Sequence, residues 1–250
     1  MSRITFNRSL AAAVNVAANL RRATPFVISF EVTRECNCAC IHCDRGQPAT
    51  GGPTLMPDDI SRWTATFRPV AVQISGGEPL LRKDVLACTA AAKTDRNPPY
   101  LILVTNGRLL SAALYDRLHA VGMDQLSVSL DFPDEEHDRF RRCPGLFSHL
   151  SDVIPRLAAL GRDDIILNVC ITRRNARHLT AICDLAAEWG VRVSFSAYSP
   201  RRTGDRSLMF VGDADLALLR TQLDTLNSRR LRRTIVTPRS VREGIFHYFA

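Results

Sequence analysis

From Phe26 to about residue 200 the chain alternates short apolar runs, rich in β-branched residues, with stretches in which apolar positions recur every three or four residues. The first pattern marks strands and the second helices, so the alternation predicts repeated βα units on a parallel sheet. Six strands are expected, over residues 27–32, 70–75, 101–105, 125–130, 165–171 and 192–196. Helices are expected over 58–67, 83–93, 111–121, 148–160 and 176–189, with Gly190 closing the last. Right-handed crossovers would wind six such units into a barrel or an open part-barrel. Ligands of these sheets gather at the carboxyl ends of the strands, so the polar residues there are the candidates for function.

The segment ahead of the first strand has a different pattern. Phe6, Leu10, Val14 and Ala17 repeat at helical spacing, and no acidic residue precedes Glu31. Asn7, Asn15 and Asn19 interrupt what a secretory signal would need as an unbroken apolar core. Residues 1–24 therefore read as an amphipathic helix, docked on the domain or else lying on a membrane surface. Residues 25–200 are the expected catalytic core and 201–250 a helical extension. The chain ends on Ile245, Phe246, His247, Tyr248, Phe249 and Ala250, an apolar terminus that reads as a fragment or a truncated product.

A chain of 250 residues with 46% hydrophobic content can bury one large core, and it contains no apolar stretch near the roughly 20 residues that cross a bilayer. The net charge of +8 comes from arginines spread along the whole chain, with Lys83 and Lys93 the only lysines, so a nucleic-acid partner is not expected. The densest cluster, Arg229, Arg230, Arg232 and Arg233, reads as a solvated helix end. Of eight cysteines, Cys88, Cys143, Cys170 and Cys183 are scattered. Cys88 and Cys183 fall in expected helices and Cys170 in an expected strand, where a thiol behaves as a small buried hydrophobe. This is not a disulfide framework, and it suits a reducing cytoplasm.

The other four cysteines, Cys36, Cys38, Cys40 and Cys43, follow the first strand as one run. Thiolates this close form a metal site. Four would close a structural zinc site or an ordinary iron–sulfur cluster, whereas three leave one metal position open for chemistry. The second strand ends in Ser75-Gly76-Gly77-Glu78-Pro79-Leu80, where paired glycines let a ligand approach the backbone without Cβ interference. The third ends in Thr105-Asn106-Gly107, a turn signal, and the fourth in Ser127-Val128-Ser129-Leu130-Asp131, whose alternation sets Ser127, Ser129 and Asp131 on one face. Further on, the run Glu136-His137-Asp138-Arg139-Phe140-Arg141 before Pro144 and Gly145 reads as a surface helix turn rather than as catalytic His137 and Asp138. Asn168 and Tyr198 lie at or near the last two strands as candidates for contact with a ligand.

Taken in order, these motifs resemble those of the radical S-adenosylmethionine (SAM) enzymes. The C-x3-C-x2-C spacing of Cys36, Cys40 and Cys43 resembles the family's cluster signature, whereas a register begun at Cys38 would need cysteine where His42 stands. The resemblance implies a partial (β/α)6 TIM-type barrel. It also implies a [4Fe-4S] cluster on those three cysteines, its fourth iron chelated by SAM, with one electron cleaving SAM to a 5′-deoxyadenosyl radical. By the same resemblance His42 takes the place of an aromatic near adenine. Gly76, Gly77 and Glu78 would receive the SAM amino group, Asn106 would lie at the same rim, and Ser129 and Asp131 would meet the ribose hydroxyls or the methionyl carboxylate. The expected function is hydrogen abstraction from an unidentified substrate, in peptide maturation or in cofactor or lipid biosynthesis, with a small flavodoxin- or ferredoxin-like electron donor. The competing readings are an iron–sulfur or zinc binding module, or a degenerate member without turnover. The motifs on strands two and four favour the enzyme, because an electron carrier needs no SAM pocket.

Overall fold

A computed structural model describes residues 6–46, 55–93, 99–228 and 230–250. Its strands are β1 (Val27–Thr33), β2 (Ala71–Gly76), β3 (Tyr100–Thr105), β4 (Gln125–Ser129), β5 (Ile165–Ile171) and β6 (Arg192–Ala197), in the sheet order β1-β2-β3-β4-β5-β6. The helices are α1 (Phe6–Arg22), α2 (Pro57–Phe67), α3 (Val85–Ala91), α4 (Ala112–Ala120), α5 (Glu136–Arg141), α6 (Leu146–Ala159), α7 (Leu179–Glu188), α8 (Gly212–Leu226) and α9 (Arg239–Phe249). Every expected strand is present, with ends that move by a residue or so, and the α/β class is as anticipated. The chain forms two compact units, residues 1–37 with 45–127, and residues 38–44 with 128–250.

In the first unit β1, β2 and β3 pair in parallel, with Phe30 opposite Ile74 and Val72 opposite Leu101. Alternate residues Val32, Val72, Ile74, Leu101 and Leu103 are buried, as period-two strands in a covered sheet require. Helix α2 opens with Pro57 and the acidic Asp58 and Asp59, which suit a helix N-terminus, and it buries Ile60 and Thr64. Helix α1 forms as expected, but its outward face is the apolar one. Asn15 and Asn19 are 6% and 2% exposed, whereas Leu10, Val14 and Leu20 are 56%, 54% and 67% exposed. The reason is local: the Asn19 amide donates to the carbonyls of Pro25 (3.0 Å) and Arg68 (3.3 Å), so a polar side chain anchors the inner face. The side chains of Phe6 and Asn7 lie outside the described residues, as does Arg229 of the anticipated basic cluster.

In the second unit β5 and β6 pair in parallel, with Val169 opposite Phe195. Helix α6 buries Leu146, Leu150, Val153, Ile154 and Leu157, and α7 buries Leu179, Ile182, Cys183 and Ala186, both at helical spacing. The segment between α8 and α9 covers one edge of β6. Val193 exchanges backbone bonds with Thr234 and Val236, and the Phe195 N–H donates to Thr237 Oγ1 at 2.7 Å. Edge groups that would otherwise template another strand are thereby satisfied. Among the described residues no helix is long and apolar enough to cross a membrane.

Candidate cofactor site

In the first unit the site is built where β1 and β2 end. A Cβ on Gly76 would lie 2.3 Å from the Thr33 carbonyl oxygen, and one on Gly77 would lie 2.0 Å from that of Glu35. Gly76 also holds φ +134°, which only glycine adopts without strain. The Gly77 N–H donates to Thr33 O and the Glu78 N–H to Glu35 O, both at 2.7 Å. The clearance these glycines provide is taken by the chain's own backbone just ahead of Cys36.

Glu78 is fully buried. Its Oε1 accepts the Thr105 hydroxyl (2.7 Å) and the Leu80 N–H (3.0 Å), and its Oε2 accepts the Asn106 N–H (2.7 Å). Burial pushes this carboxyl up to about 7, against the pull of those three hydrogen bonds. A carboxylate accepts about four donors, so one acceptor position on Oε2 is not used by these three. Asn106 extends the network: its amide donates to Asn37 Oδ1 at 2.7 Å and reaches Cys36 Sγ at 3.8 Å.

In the second unit α5 holds the cysteine loop. Arg142 takes a left-handed conformation (φ 48°) and ends the helix, leaving terminal carbonyls without an intrahelical partner. The loop uses them. The Ala39 N–H donates to Arg141 O (3.2 Å) and the Ile41 N–H to Phe140 O (3.0 Å), while His42 stacks on Phe140 with ring centroids 4.9 Å apart. Burial pushes the His42 imidazole down to about 4, so it is neutral, and its buried Nδ1 has no partner.

Asp131 is also fully buried. Its Oδ2 accepts Arg141 Nε (2.9 Å) and Nη2 (2.7 Å), and its Oδ1 accepts the Cys170 N–H (3.0 Å). Its backbone is held too, by His137 Nδ1, which accepts the Asp131 N–H, and by the Asn175 amide, which donates to the Asp131 carbonyl. Although burial opposes the ionised form, the Arg141 guanidinium holds the carboxyl below its usual range. Arg141 Nη1 in turn reaches Cys40 Sγ at 3.9 Å.

The structure thus joins Glu78, Asn106 and Cys36 in one unit, and His42, Cys40 and Asp131, through Phe140 and Arg141, in the other. Ser129 is half-buried at the end of β4. All eight cysteines are thiols rather than disulfides. Among the described residues no three His, Cys, Asp or Glu side chains are gathered to hold a metal ion, so the cysteine triad rests on spacing and resemblance. Of the other residues singled out, Asp138 accepts the N–H groups of Gly145 and Phe147 as a cap for α6. Tyr198 is spent on Thr203 and the Asp205 carbonyl, and Asn168 accepts from Ser194. Arg141 and Asn37 were not anticipated, and Thr105 entered only as part of the turn after the third strand. The flagged run from Glu136 to Arg141 was the available signal for the first, but nothing in it says which way its last arginine turns.

A family model described as the Radical SAM superfamily matches residues 30–186, more than half of the chain. The chain belongs to this superfamily. Among curated radical SAM relatives, it is 34% identical over 194 residues to the AdoMet-dependent heme synthase of Methanosarcina barkeri (strain Fusaro / DSM 804), covering 73% of this chain and 53% of that protein. It is 28% identical over 187 residues to the mycofactocin maturase MftC of Mycobacterium tuberculosis (strain ATCC 25618 / H37Rv), covering 72% and 46%. The chain spans about half the length of the curated relatives it matches. Solved structures of Streptococcus suis SuiB, one bound to S-adenosylmethionine and one to the precursor peptide SuiA, align with a TM-score of 0.70 at 17% identity, over 90% of this chain and 54% and 52% of SuiB. At that identity the likeness speaks for the fold, a radical SAM partial barrel.

Proposed function

We propose that this chain is the core of a radical SAM enzyme in which Cys36, Cys40 and Cys43 hold a [4Fe-4S] cluster. The observation that carries the reading is that the family match over residues 30–186 contains the three-cysteine spacing and the Gly76-Gly77-Glu78 strand end in family order. Side chains of this chain fit such a group. An amide lies beside Cys36 and a guanidinium beside Cys40, both N–H donors of the kind a thiolate ligand accepts. Cys38, the thiol outside the spacing, is 3% exposed, whereas Cys36, Cys40 and Cys43 are half-buried. When bound, the cluster supplies the electron that cleaves SAM to a 5′-deoxyadenosyl radical, and a small flavodoxin- or ferredoxin-like protein of the cytoplasm would deliver it.

The protein's own groups have separate tasks. Glu78 accepts an N–H of the SAM amino group on its remaining acceptor site, at a carboxyl poised near neutrality. Gly76 and Gly77 keep β1 and β2 close enough to place it. His42, neutral and stacked on Phe140, offers an acceptor to the adenine amino group. Ser129 donates to the ribose or the carboxylate of SAM, while Asp131 acts through the Arg141 it holds. The substrate class is a peptide or a cofactor precursor, in keeping with the precursor peptide bound by SuiB and the heme synthase among the relatives.

The test is anaerobic loading of the full chain with iron and sulfide, followed by SAM and a strong reductant. Release of 5′-deoxyadenosine is expected. A protein that loads iron and sulfide but never cleaves SAM would be an iron–sulfur binding module, and the enzyme reading would fall.

A further inference from the structure

The buried Arg141 guanidinium serves a carboxylate and a thiol at once. Nε and Nη2 are fixed on Asp131, and Nη1 is turned to Cys40 Sγ at 3.9 Å. The same residue's carbonyl accepts the Ala39 N–H, so backbone and side chain of one residue grip the loop at Ala39 and at Cys40. Its position is over-determined. Arg141 is 7% exposed, Asp131 is enclosed, and Asp131 is itself anchored by Cys170, His137 and Asn175. A planar donor fork locked by a carboxylate cannot follow solvent or swing away from the sulfur. The helix end facing the loop carries the negative pole of the peptide dipoles, which disfavours a thiolate there unless a cation is present.

We propose that Arg141 is a positioning residue that orients Cys40 and sets the reduction potential of the iron it binds. This rests on the reading of Cys40 as a cluster ligand. A fixed cation at the sulfur favours the reduced, more negative state of the cluster, and hydrogen bonds to cluster sulfurs act in the same direction. Cys36 has a neutral amide in the corresponding place, so the two ligands are tuned differently. Asp131, expected from the sequence as a group that meets SAM, is in this account the clamp that aims the guanidinium.

The experiment uses the full chain, loaded anaerobically and kept free of SAM, with the midpoint potential read by electron paramagnetic resonance during a redox titration. Arg141→Gln alone would leave a buried unpaired carboxylate and could unfold the protein, so the paired variant Asp131→Asn/Arg141→Gln is used beside Arg141→Lys. At the ambient potential that half-reduces the wild-type cluster, the paired variant should show a ratio of reduced to oxidised cluster about tenfold lower, equivalent to about 59 mV for one electron. Arg141→Lys, which keeps the charge, should stay near the wild type. Folded paired variant with wild-type potential and wild-type iron content would overturn the proposal. A wild-type chain that binds no cluster sinks the parent reading instead, and this proposal with it.

Discussion

Glu78 accepts the backbone N–H of Asn106 at 2.7 Å, and through that bond the ends of β2 and β3 share one buried carboxylate. The same group satisfies the Thr105 hydroxyl and the Leu80 N–H. Removing it strands three donors, and each unsatisfied buried donor costs about 1–3 kcal/mol. Glu78→Ala should therefore lower unfolding stability by roughly 3 kcal/mol or more, read from urea denaturation. A loss under about 0.5 kcal/mol, the scatter of ordinary surface substitutions, would show that the network is not formed.

Burial lifts the Glu78 carboxyl from 4.5 to about 7, so between those values the folded protein keeps a proton that the unfolded chain has released. The folded state then binds more protons than the unfolded one, and stability falls as pH rises. The contribution is complete below the ordinary carboxylate range and gone once pH has passed about 7. Wild type should thus lose more stability than Glu78→Gln between pH 5 and 8, by at most on the order of 3 kcal/mol. An amino N–H donated to that carboxyl favours the ionised form, so SAM affinity of the cluster-loaded protein should rise more steeply over the same interval in the wild type than in Glu78→Gln. Parallel pH profiles for the two proteins would refute both expectations.

The two glycines ahead of Glu78 fail for different reasons when replaced. In Gly77→Ala the new Cβ meets the Glu35 carbonyl at 2.0 Å, and backbone cannot rotate aside, so the loss should reach the upper end of the overpacking range, about 2–3 kcal/mol. Gly76→Ala adds the strain of φ +134° to a 2.3 Å clash with Thr33 O, for about 2–6 kcal/mol in all. Gly204→Ala is the control. It also has positive φ (+71°) but nothing within 4 Å, so it should cost only about 1 kcal/mol. Equal losses at Gly77 and Gly204 would mean that the close approach of β1 and β2 is not what these residues serve.

What could be read from the sequence was whatever a local period or a short spacing encodes. The six strands follow from β-branched runs bounded by turns. Side-chain direction is a different matter. Helix α1 has the right period but turns Leu10 and Val14 outward, because two loop carbonyls needed the Asn19 amide more than the core needed leucine. Asp131 sits on the anticipated strand end, yet its partner is Arg141, ten positions on, and no periodicity relates a strand end to the last turn of a short helix. Glu78 was picked out for a ligand's charge, and its three internal donors come from residues whose nearness depends on the sheet being assembled.

The extra thiol in the cysteine run separates the two metal readings experimentally. If all four thiols closed a site, Cys38→Ala and Cys40→Ala would be equally damaging. With Cys36, Cys40 and Cys43 as ligands, Cys40→Ala should lose most of its iron after anaerobic loading, while Cys38→Ala keeps it. Cys38 is 3% exposed, so its replacement by alanine removes one buried sulfur and should register as a modest loss of stability, about 1–2 kcal/mol by urea denaturation. Iron and sulfide per chain, measured beside the unfolding curve for each variant, keep the two effects apart. Equal iron loss in two folded variants would move Cys38 into the ligand set and leave no open position for SAM.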